Sequence, residues 1–80
     1  LRAFIVGYLS PTNTRGSRVK ITDKRNDRHK TIPYRYTTDS SLETAIEYLG
    51  ERGFNVVAYG DIGNANVVLC DNWGDEFIKL

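Results

Sequence analysis

The sequence predicts an α+β domain in which one helix covers one face of a mainly antiparallel sheet of about five strands, in the order β-β-β-α-β-β. Three observations carry this expectation. Residues 39–52 hold a capped, amphipathic helix pattern. The segments before and after it are short, rich in β-branched and aromatic residues, and several of them alternate with period two. Turn-forming clusters separate those segments, and only one connection is long enough to hold a helix.

Taken in order, Arg2 to Leu9 reads as the first strand, stopped by Ser10-Pro11. Phe4, Val6 and Tyr8 fall on one face and Ala3, Ile5, Gly7 and Leu9 on the other. Both sets are largely apolar, as in a central strand. Ser10 to Ser17 is a loop in which Pro11 fixes its own φ and Asn13 and Gly16 tolerate left-handed backbone. Arg18 to Asp23 alternates, with Val19 and Ile21 opposed to Arg18, Lys20 and Thr22. A polar turn centred on Asn26-Asp27 leads to a return strand, Arg28 to Tyr36, which Pro33 marks as an edge or a break.

The helix is expected over Asp39 to Arg52. Ser40 and Glu43 have capping-box spacing, Leu42, Ala45, Ile46 and Leu49 form one apolar stripe, and Gly53 is a natural stop. Gly50 weakens the last turn by about 1 kcal/mol relative to alanine. Phe54 to Ile62 follows as a strand, with Val56, Ala58 and Gly60 opposed to Val57 and Tyr59. Gly63-Asn64 signals a hairpin turn and Asn66 to Asp71 the next strand. Phe77 to Leu80 fits either a short edge strand or a packed tail.

Eighty residues make one domain, 1–80, with a thin core. No stretch approaches the ~18 apolar residues of a membrane helix, and Ala3-Phe4-Ile5-Val6 is too short for a signal-peptide core. A single cysteine, Cys70, excludes an internal disulfide and fits a reducing, cytoplasmic location. At the end of the run Val67-Val68-Leu69 it reads as a buried structural thiol.

Net charge is only +1, but it is unevenly distributed. Residues 1–35 hold nine Lys/Arg against two Asp/Glu, and residues 36–80 hold two against eight. Eight of the cations lie between Arg15 and Arg35. Such a block attracts phosphates through counterion release. Arg15, Arg18, Lys20, Arg28, Lys30 and Arg35 are the candidate phosphate contacts, with Tyr34 and Tyr36 as stacking residues for unpaired bases. Thr12, Asn13, Thr14, Gly16 and Ser17 offer hydroxyls, an amide and backbone N–H groups to an anion. The same cations equally fit a solvated hairpin face, or one that answers the acidic half of the molecule.

A second expectation, of a different class, comes from Glu43, Glu47 and Glu51. They form a negative helix ridge suited to a basic protein partner, as in a homodimer or an inhibitor of a host protein. Chemistry has little support. One histidine, one cysteine and scattered acids give no metal-ligand spacing, and the TNTRGS loop lacks the ending of a P-loop. The expectation is therefore a non-enzyme with no cofactor and no metal.

The stretch GYLSPTNTRGSRVK, residues 7–20, resembles the opening of a group of small bacterial, plasmid and phage proteins with a TNTRG-like loop between two strands. A Thr-Ile-Pro-Tyr segment and a closing glycine-containing hairpin follow in that group, matched here by residues 31–34 and 60–63. No activity is established for the group. The resemblance implies an accessory protein of bacterial or mobile-element origin and supplies no mechanism. With the charge pattern it gives the leading expectation of nucleic-acid or other polyanion binding, with DNA, RNA or a protein as partner and no membrane.

Overall fold

The computed structural model describes residues 2–24 and 27–71. The elements are β1 (Arg2–Leu9), β2 (Arg18–Asp23), β3 (Arg28–Pro33), α1 (Ser41–Glu51), β4 (Val56–Ile62) and β5 (Ala65–Cys70). The strands form one antiparallel sheet in the order β3-β2-β1-β5-β4, so β1 is central, as its two apolar faces predict. The expected strand at Phe77 to Leu80 and the turn residue Asn26 lie outside the described residues.

Helix α1 starts where the sequence says it should. The Glu43 N–H donates to Ser40 Oγ at 3.2 Å. The returning Glu43 carboxylate accepts from the Asp39 N–H at 2.9 Å, one residue upstream of the usual capping-box partner. At the other end Gly53 takes φ +96, which only glycine adopts freely. This left-handed residue lets the Phe54 N–H reach the Leu49 carbonyl and the Gly53 N–H reach that of Gly50. Those two bonds make a Schellman stop, and Phe54 folds back beside Leu49 in the core.

The helix lies on one face of the sheet. Phe4 and Val6 of β1, Val19 and Ile21 of β2, Ile32 of β3, and Val68 and Cys70 of β5 are buried beneath Ala45 and Leu49. Leu42, Ile46, Tyr48 and Val56 complete this layer from its margin. Burying each large aliphatic side chain contributes roughly 1.5–3 kcal/mol. Thr44, which the stripe did not include, is also fully buried. Its hydroxyl meets Thr38 Oγ1 at 2.6 Å, tying the approach segment to the helix.

Two strands depart from expectation. β3 stops at Pro33, three residues early; the Tyr34 N–H still donates to the Ser17 carbonyl at 3.0 Å, and the chain then leaves the sheet. In β4 the register shifts between Val56 and Ala58. The bulge puts Val56 and Tyr59 on the helix face, opposite Cys70 and Val68, and puts Ala58 and Gly60 on the other. Simple alternation had placed Val56 with Ala58.

One ion pair sits inside the core. Arg2 and Asp23 are 4% and 1% exposed, and the guanidinium donates to Asp23 Oδ2 at 2.7 Å. The same guanidinium carbon stands 4.9 Å from the Phe54 ring centre and 5.4 Å from that of Phe4. Removing one partner strands a buried charge. Asp23→Ala is expected to cost about 3–5 kcal/mol in urea unfolding, and the double replacement Arg2→Met with Asp23→Leu to recover most of that loss.

Candidate nucleic-acid interface

Hairpin geometry decides where the cations go. β2 and β3 pair with Asp23 opposite Arg28, Lys20 opposite Thr31 and Arg18 opposite Pro33. Directly opposed residues share a face. Arg18, Lys20 and Thr22 therefore stand with His29, Thr31 and Pro33 on the face away from the helix. Arg28 and Lys30 stand on the helix side of the edge strand, beyond the helix's reach, and both are exposed. The six expected contacts do not form one surface. They divide around the outer edge of β3.

The open face continues inward from Arg18 and Lys20. Next come Ala3, Ile5, Gly7 and Leu9 of β1, then Ala65, Val67 and Leu69 of β5, and Ala58, Gly60 and Ile62 of β4. None of the strand residues described on this face is acidic. Asp23 and Asp61 both lie on the helix side, Asp61 opposite Asn66.

Arg35 leaves the expected set. Its guanidinium donates to Glu47 Oε1 at 2.6 Å and to Glu51 at 2.7 and 2.8 Å. The hydrogen bonds to Glu51 and then Glu47 raise its pKa further above the ordinary arginine value. In return Arg35 holds the Glu51 carboxyl below its ordinary value. The acidic ridge expected to meet a protein partner is thus occupied from within, since Glu43 caps the helix and Glu47 and Glu51 hold Arg35. Arg15, Arg18, Lys20, Arg28 and Lys30 have no acidic partner among the described residues.

The loop after β1 is closed by its own bonds. The Thr12 N–H donates to the Arg15 carbonyl at 2.7 Å, and the Arg15 N–H donates to Thr12 Oγ1 at 3.1 Å. Two of the N–H groups expected to face an anion are therefore turned inward, and Asn13, Thr14 and Gly16 carry the exposed part. Neither Asn13 nor Gly16 uses left-handed backbone. Ser17 Oγ instead meets the Tyr8 hydroxyl at 2.8 Å.

Tyr34 and Tyr36 are together, ring centres 5.1 Å apart, with Tyr8 6.1 Å from Tyr34 at 86°. They form a cluster at the head of the helix, on the side of the sheet opposite Arg18 and Lys20. Alternation alone could have added Tyr8 to this set, since it shares a face with Val6; the loop that brings Tyr36 to it is not periodic.

Among the described residues no group of three or more His, Cys, Asp or Glu is placed to hold a metal ion, and no helix is long and apolar enough to cross a membrane. No family model, curated protein or solved structure matches the chain.

Cys70 is fully buried, and burial pushes its thiol up to about 11. At pH 8 the native protein is expected to leave a thiol reagent such as DTNB almost unreacted over minutes, and to react with one equivalent once unfolded in urea.

Proposed function

We propose that the protein binds nucleic acid, as a polyanion, across the open face of its sheet. Arg18 and Lys20 are the central contacts. Arg15 adds to them from the loop, and Arg28 and Lys30 reach round from the edge strand. One observation supports this above the rest: the strands of the open face carry cations and no acid, whereas the molecule pairs Arg2 and Arg35 internally. A cation face with no acidic partner among the described residues concentrates phosphates through counterion release. The accessory role that the resemblance of residues 7–20 implies is part of this proposal.

The decisive measurement is a titration of labelled single-stranded and duplex DNA at 50 and 200 mM salt. Five neutralised phosphates give a slope near −3.5 for single strands, so affinity is expected to fall roughly a hundredfold over that range. Arg18→Glu with Lys20→Glu should abolish binding to every sequence alike. No binding at 50 mM salt, or binding indifferent to salt, ends the proposal.

A second reading, self-association, is favoured by the other edge of the sheet. β4 leaves Val57, Tyr59 and Ile62 50%, 58% and 48% exposed, whereas β3 guards its edge with two cations and a proline. Pairing of β4 with a second copy predicts a concentration-dependent dimer that Val57→Lys disperses. A single monomer mass by light scattering across the micromolar range excludes it.

A further inference from the structure

The head of helix α1 holds a second feature, separate from the open face. A cavity of about 490 Å3 opens there between the ends of β1 and β3 and the first turn of the helix. That volume lies within the range of small-ligand sites. Tyr8, Tyr34 and Tyr36 supply its aromatic walls, and every side chain lining it ends in a hydroxyl. No charged group enters it.

Several of those hydroxyls are already engaged. Tyr8 and Ser17 bond each other, Thr38 bonds the Arg35 carbonyl at 2.7 Å, and Ser40 caps the helix. Tyr34, Tyr36 and Ser41 bear hydroxyls with no partner among the described residues. Tyr36 is 80% exposed, with its ring beside that of Tyr34. A tyrosine left that open contributes little to the core, and its ring face is free to stack.

We propose that this groove holds one unpaired base of a single-stranded nucleic acid, and that it makes the protein select single strands over duplex. The proposal rests on the polyanion reading for most of its affinity and adds the form of the ligand. A base is flat and uncharged, as an aromatic and hydroxyl lining requires, and stacking on tyrosine tolerates any base. A base inside a duplex is already stacked and paired and cannot enter. The surrounding charge sets the path of the backbone. Along the chain Arg15 and Arg18 lie next to Ser17, Arg18 turning to the open face, and Asp39 and Glu43 lie next to Ser40 and Ser41. Phosphates are drawn out past Ser17, over the end of the sheet, toward Lys20. Because a hydroxyl both donates and accepts, little sequence preference is expected.

The test uses fluorescence anisotropy with a labelled dT12 strand and a 12-base-pair duplex at 50 mM salt. Its variants are Tyr36→Ala and Tyr36→Phe, whose exposed position leaves folding intact. Wild type is expected to bind dT12 at least tenfold tighter than the duplex. Tyr36→Ala should lower dT12 affinity roughly tenfold without changing the salt slope, and Tyr36→Phe should stay within about twofold. Equal affinity for strand and duplex overturns the proposal, as does a Tyr36→Ala protein within twofold of wild type. So does quenching of tyrosine fluorescence by a neutral oligosaccharide such as cellohexaose with none by dT12. If binding falls with Arg18→Glu and Lys20→Glu but ignores Tyr36→Ala, the groove fails and the polyanion reading stands. If neither DNA binds at low salt, both fail.

Discussion

Among the described residues one helix, eleven residues long, has to close a five-stranded sheet, and it covers one side. That constraint divides the molecule. On the covered side the side chains are large and interlocked, from Phe4 and Ile21 to Leu49 and Phe54. The other side has aliphatic residues and glycines toward β4 and β5 and the cations Arg18 and Lys20 on β2. No described element packs over them, so among the described residues they need not be complementary to a second layer. Besides its buried stripe, the helix carries a fastening at each end, a cap at Ser40 and a left-handed stop at Gly53.

Much of this was legible from residue order, because local physics dictates it. The cap, the stripe and the stop of α1 are all short-range, and the opposed faces of β1 follow from period two alone. The bulge at Val57 was not legible. No residue type marks it, and a one-residue slip inverts every downstream side chain. Pro33 was read correctly as an obstacle, yet whether it marks a break or an edge depends on what lies beyond it.

The sequence names the candidate cations but not how the fold lays them out. Arg18, Lys20, Arg28 and Lys30 are all even-numbered, which invites a common face. A four-residue connection makes paired positions add up to 51, so even residues of β2 oppose odd residues of β3. A connection one residue longer or shorter would have gathered all four cations on one side. Arg35 is a different case. Its partners lie twelve and sixteen residues ahead, and only the return of the helix over the sheet brings Glu47 and Glu51 to it. Pairing of that kind is tertiary, and a composition count treats such an arginine like any other.

Gly7 and Gly60 both lie on the uncovered side, Gly7 opposite Lys20 and Gly60 opposite Val67. A β-carbon built on either would meet nothing within 4 Å. The two sides of the sheet therefore differ in what they permit over generations. An added methyl on the helix side forces neighbours apart, at a cost typically of about 1–3 kcal/mol. The same methyl at Gly7 or Gly60 displaces nothing. Single substitutions can reshape the exposed side step by step while the layer beneath is inherited unaltered, so chemical preference in such a scaffold is free to drift faster than its architecture.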